Sequence, residues 1–102
     1  MQPAVNCDRA LGQVRRIVLQ YVGPTADVLL FGSWARGDQR PASDVDVALD
    51  AHGRKLDRLV LARLRDALEE SRVPWRVDVV DLAECDPAFR LRVLGEAIRW
   101  TD

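Results

Sequence analysis

Between Leu11 and Val22 the apolar residues Leu11, Val14, Ile17, Val18, Tyr21 and Val22 recur at helical spacing, with Asn6 or Asp8 placed to cap the start. Gly23-Pro24 stops that helix. Asp27 to Phe31 is a short apolar, partly β-branched run with turn residues on both sides, so it reads as a buried strand. Ser33 to Arg36 forms a short helix ending at Gly37. Asp44-Val45-Asp46-Val47-Ala48-Leu49 alternates polar and apolar, which predicts a strand with Val45, Val47 and Leu49 facing inward.

A helical stripe of Leu56, Leu59, Val60, Leu64, Ala67 and Leu68, with arginines and acids on the other faces, predicts a surface helix from Arg54 to Ser71. Pro74 breaks it, and the alternation from Trp75 to Val80 predicts a third strand. Asp81 with Glu84 three residues on has capping-box spacing, and Asp86-Pro87 pairs a cap with proline at the first helical position. A last helix from Pro87 to Leu94 follows, then a short edge strand from Ala97 to Trp100. The order αβαβαβα(β), free of repeats, low-complexity tracts and linkers, predicts a single α/β domain over residues 1–102, a small mixed sheet flanked by helices.

The chain has 102 residues with 15 basic and 16 acidic side chains, a formal net charge of -1. A near-zero charge argues against general nucleic-acid or anionic-membrane binding, which needs a surplus of Lys and Arg. No apolar stretch approaches a membrane span, and no cationic start precedes an apolar core as in a signal peptide, so a cytoplasmic protein is expected. Cys7 and Cys85 stand apart without metal-ligand spacing, which fits two reduced thiols, and a single histidine, His52, excludes His-dependent triads. A domain of this size supplies one core and no second lobe to enclose a substrate.

The chemistry gathers around two segments. Gly32-Ser33 falls where the first strand hands over to a short helix: glycine permits close backbone approach, and serine offers a hydroxyl to a phosphate. Asp44 and Asp46, two apart on a strand, direct both carboxylates to one face, where they repel unless a hard divalent cation lies between them. Asp78 on the third strand is placed to supply a third carboxylate. A phosphate cradle and clustered carboxylates are the parts that nucleotidyl transfer needs.

Gly32-Ser33, ten residues, then Asp44-x-Asp46 resembles the signature of the DNA polymerase β-like nucleotidyltransferase superfamily. The string from Gly32 to Val47 resembles its minimal nucleotidyltransferase branch, and the likeness extends through Val77 to Leu82 and the closing helix, most of the chain. Within that branch the chain is most similar to MntA-type antitoxins, which transfer AMP from ATP to a tyrosine of a cognate HEPN-domain toxin. The resemblance implies a polymerase β-like nucleotidyltransferase fold, Gly32 and Ser33 on the triphosphate, and Asp44 and Asp46 on Mg²⁺, two ions in all. It further implies Asp78 as metal ligand and base, and a hetero-oligomer with the toxin. A small-molecule nucleotidyltransferase subunit, similar to aminoglycoside-modifying enzymes, and a neutraliser acting by binding alone are the alternatives.

Asp81 competes with Asp78 for the third position, but its capping spacing gives it a structural job. Arg36 and Arg40 flank the site and suit either phosphate contact or an ion pair. Ser43 reads as a turn residue, His52 as a loop residue, and Trp75 and Trp100 as packing residues.

Overall fold

A computed structural model describes residues 7–101. Helix α1 (Cys7–Val22) leads into β1 (Asp27–Phe31), the single-turn α2 (Ser33–Arg36) and β2 (Val45–Asp50). Helix α3 (Arg58–Glu70), β3 (Val77–Asp81), a 3₁₀ turn (Leu82–Glu84), α4 (Pro87–Glu96) and β4 (Ile98–Arg99) complete the order. The strands form one mixed sheet in the order β3-β2-β1-β4, with β2 antiparallel to β1 and parallel to β3, and β4 antiparallel to β1.

Alternation along the strands gives the sheet two apolar faces. Val28, Leu30, Val45, Val47, Leu49 and Val79 pack with Val14, Val18 and Val22 of α1 and Leu61, Leu64 and Leu68 of α3. On the other face Leu29, Phe31 and Ala48 meet Val93 of α4 and Leu82 of the 3₁₀ turn. The three inward residues expected on the second strand, Val45, Val47 and Leu49, are fully buried. Asp46 and Asp78 share the parity of Ala48 and Val80, so both carboxylates belong to the α4 face.

Several boundaries differ from the sequence expectation for identifiable reasons. The first helix already runs through Asp8, and Asn6 lies outside the described residues. Asp44 precedes β2 rather than opening it, because the first bond on that side runs from Val45 N–H to the Arg76 carbonyl at 2.9 Å. The third helix starts at Arg58, not Arg54. Asp57 caps it by accepting from Leu59 N–H at 2.7 Å, and Leu56 N–H is drawn away to Asp81 Oδ2 at 2.8 Å. β3 spans Val77–Asp81 instead of starting at Trp75, whose ring packs on Trp34 with centroids 4.6 Å apart. Asp86 caps α4 through Phe89 N–H at 2.9 Å, with Pro87 at the start as expected, and the helix continues to Glu96.

Candidate functional site

β1 stops at Phe31, opposite Asp46 in the antiparallel register, and the next residue is Gly32. Its backbone, at φ 77° and ψ -157°, lies in a region essentially reserved for glycine. A Cβ there would overlap Asp46 Oδ2 and lie 3.1 Å from Asp46 Cγ, so the Asp46 carboxylate rests directly on the glycine. The Gly32 carbonyl accepts the N–H groups of Ala35 and Arg36, both at 3.0 Å, which winds α2, and Gly37 closes that turn in the left-handed region. Ser33, the next residue along the chain after Gly32, opens α2.

Parallel pairing of β2 and β3 sets Asp46 beside Asp78, on strands roughly 4.8 Å apart. Asp78 Oδ1 meets Arg76 Nε at 3.3 Å, an exposed pair of little energetic weight. Asp44 stands exposed just before the strand, on a loop held at Ser43. There Ser43 Oγ accepts Arg40 N–H at 2.8 Å, and the buried Trp34 donates its Nε1–H to the Ser43 carbonyl at 3.2 Å. The turn role expected of Ser43 is thus observed, and Trp34 is the side chain that ties the loop to α2.

Burial pushes the Asp46 carboxyl above its ordinary range, and the negative charges of Asp78 and then Asp44 push it further, with Arg36 opposing and Glu96 adding. The three aspartates nonetheless do not bring one oxygen each within 4.8 Å of the others. Asp46 and Asp78, but not Asp44, edge a groove of about 940 Å³ between α3 and α4, whose lining also includes Phe31, Trp75, Phe89 and Arg92. The donor set is carboxylate oxygen alone, its charge only partly offset by Arg36 at Asp46 and by Arg76 at Asp78, which suits a hard divalent cation.

Arg36 forms ion pairs, with Asp38 at 3.2 Å and with Glu96 at 3.1 Å. Glu96, which sequence reasoning missed, also accepts Gly32 N–H on Oε2 at 2.7 Å. The contact spans 64 residues, so no local spacing reveals it. One signal was present: an acid in the last turn of a helix opposes the macrodipole, and no basic residue accompanies it there. Asp81, by contrast, is only 5% exposed and spends its oxygens on Leu56 and Ala83 N–H, the structural role its spacing predicted.

A second group, Asp27, Asp50 and His52, lies at the opposite end of β1 and β2, roughly 13 Å along the strands. Asp27 accepts from Arg99 at 3.1 Å and Thr101 at 3.2 Å and faces His52 Nε2 at 3.4 Å, while Asp50 accepts His52 N–H at 2.9 Å. These bonds tie β1 to the chain's closing segment, and His52 is the loop residue expected.

Comparison with known proteins agrees with this geometry. A family model described as "Polymerase beta, Nucleotidyltransferase" matches residues 17–99. The Haemophilus influenzae protein named "Probable protein adenylyltransferase MntA" is 39% identical over 75 residues, which cover 74% of this chain and 65% of that protein, slightly under two thirds of its length. The solved structure "Structure of putative minimal nucleotidyltransferase" superposes with a TM-score of 0.70 at 35% identity, covering 95% of this chain and 98% of the other. "Crystal structure of the toxin-antitoxin with AMP-PNP" gives 0.68 at 26% identity, covering 84% and 71%. The turn at Gly32-Ser33, the carboxylates on adjacent strands and a family match over most of the length establish that this chain belongs to the polymerase β-like nucleotidyltransferase family.

Proposed function

We propose that the chain is a Mg²⁺-dependent adenylyltransferase that moves AMP from ATP to a tyrosine hydroxyl of a cognate HEPN-domain toxin and thereby neutralises it as an antitoxin. The observation that carries the reading is the seating of Asp46 against Gly32 with Asp78 in register beside it. That arrangement puts a glycine turn and neighbouring carboxylates at one strand end, which supports binding of phosphate and metal there. The names borne by its relatives, a protein adenylyltransferase MntA and a toxin-antitoxin with AMP-PNP, support the choice of AMP donor and partner.

Asp44, Asp46 and Asp78 would hold the metal, which neutralises their charge and polarises the α-phosphate when bound. Ser33 donates its hydroxyl to the triphosphate, with Gly32 shaping the turn. Asp78, half-buried at the groove, accepts the proton of the incoming hydroxyl as its oxygen attacks the α-phosphorus. The bond from that phosphorus to the bridging oxygen breaks and pyrophosphate leaves. One sheet and its helices make no closed chamber for a small acceptor, whereas a docked protein brings its own wall, so a hetero-oligomer with the toxin fits better than an aminoglycoside-like substrate. No helix among the described residues is long and apolar enough to cross a membrane.

The test mixes the purified chain, Mg²⁺, ATP and the protein encoded by the neighbouring gene, and reads intact mass. Added AMP on a tyrosine of that protein is expected. An unmodified but neutralised partner would establish binding alone, and AMP on an aminoglycoside would establish the small-molecule reading.

A further inference from the structure

Glu96 sits at the C-terminal end of α4, in a place that local energetics disfavours. It opposes the helix macrodipole, and it brings a fourth carboxylate toward Asp46, which is already crowded by Asp44 and Asp78. Its contacts are correspondingly specific. Oε2 accepts Gly32 N–H at 2.7 Å and Arg36 Nη1 at 3.1 Å, and Oε1 lies 3.4 Å from the same Nη1. One carboxylate therefore holds both Gly32, which opens the turn, and Arg36, the last residue of α2. With side chains 20% and 46% exposed, Glu96 is the shielded anchor and Arg36 the more accessible group.

We infer that Glu96 is a positioning residue of the transfer site: by clasping Gly32 and Arg36 together it holds Arg36 as the phosphate-binding cation and takes the Gly32 amide out of the phosphate-binding set. The inference rests on the adenylyltransferase reading and deepens it. Arg36 is tethered through Nε to Asp38 and through Nη1 to Glu96, and among the described residues its Nη2 makes no bond. A guanidinium held at two nitrogens with a third available is preorganised to meet phosphate oxygens at low entropic cost. It is also close enough to offset part of the charge crowding at Asp46. With its amide committed to Glu96, Gly32 contributes shape alone, and the direct contacts to the triphosphate come from Ser33 and Arg36.

The experiment is calorimetric titration of a non-hydrolysable ATP analogue with Mg²⁺ into the wild type, Glu96→Gln, Glu96→Ala, Arg36→Ala and the double alanine variant. Steady-state transfer kinetics accompany it, all well below each variant's Tm. Glu96→Ala is expected to weaken the analogue by about tenfold or more, the scale of one charge-assisted contact. It should raise KM for ATP more than it lowers kcat. Arg36→Ala should do the same, and the double variant should be no worse than the weaker single, because both remove one device. Glu96→Gln retains an oxygen for the Gly32 amide but loses the charge that holds Arg36, so it should fall between wild type and alanine. A folded Glu96→Ala or Glu96→Gln protein that binds the analogue as well as or better than wild type overturns the inference and leaves Glu96 a staple. Additive losses in the double variant overturn the action through Arg36. A wild type that binds no analogue overturns the adenylyltransferase reading, and this inference with it.

Discussion

Gly32→Ala probes the contact on which the site is built. The backbone at φ 77° and ψ -157° costs a side-chain-bearing residue about 1–3 kcal/mol. The new Cβ would also overlap Asp46 Oδ2 and sit 3.1 Å from Cγ, so the carboxylate must retreat by roughly 1 Å to recover ordinary contact. For a domain of this size each kcal/mol lowers Tm by about 4–8 °C, so thermal unfolding should fall by an amount on the order of 10 °C. A ligand displaced by roughly 1 Å can cost about a hundredfold in rate, so AMP transfer should drop by that order even where the variant is fully folded. Gly53→Ala is the control. It shares a positive φ of 88°, but its added Cβ meets nothing within 4 Å, so it should show about 1–2 kcal/mol of strain and normal transfer. Repeating Gly32→Ala in an Asp46→Ala background removes the overlap with the carboxylate and leaves only the 3.3 Å approach to its Cβ, so the stability cost should shrink toward the backbone part. Thermal unfolding followed by circular dichroism, with transfer assayed in parallel, reads all of these. Wild-type Tm and transfer in Gly32→Ala, or an undiminished cost in the Asp46→Ala background, would refute the close-contact account.

Asp46→Asn should abolish transfer yet raise the metal-free Tm at pH 7. Its folded carboxyl is pushed above the unfolded value of 3.8, so the native state binds the proton more tightly and ionisation costs stability as pH rises through the folded value. That penalty is complete once pH exceeds the folded value and vanishes once both states are protonated, so the gain should disappear as pH falls below the unfolded value; unfolding curves across pH that show no gain at pH 7 would contradict it. Asp78→Asn and Asp81→Ala should divide function from stability. The first loses transfer with stability within about 0.5 kcal/mol, since its pair with Arg76 is exposed. The second deprives the part-buried Leu56 and Ala83 N–H groups of their acceptor at roughly 1 kcal/mol each, with chemical denaturation as the readout.

What the sequence made legible is what short-range physics encodes. Alternation placed Val45, Val47 and Leu49 in the core, and the Asp86-Pro87 cap is present as expected. The strand-to-helix turn after Phe31 follows the expected boundaries, from Ser33 to the Gly37 stop. The start of α3 was misplaced because residues 54–57 carry helical spacing, while a long-range bond from Leu56 to Asp81 decides their fate. Asp44 was assigned to the strand by alternation alone, and pairing with β3 begins one residue later. Gly32 was legible as a permissive residue beside a ligand, yet the atom nearest its missing Cβ belongs to Asp46, which only the register of β1 and β2 reveals. Glu96 was illegible for the same reason, since its partners Gly32 and Arg36 are 64 and 60 residues away.

The most direct test of nucleotidyl transfer at the Asp44, Asp46 and Asp78 cluster is to supply ATP labelled at either the α- or the γ-phosphate, with Mg²⁺ and the neighbouring gene's product, and follow the label. The account predicts that α-label enters the acceptor while γ-label leaves as pyrophosphate, and that both events stop in Asp46→Asn. Transfer of γ-label to the acceptor, or α-label transfer that survives Asp46→Asn, would contradict it.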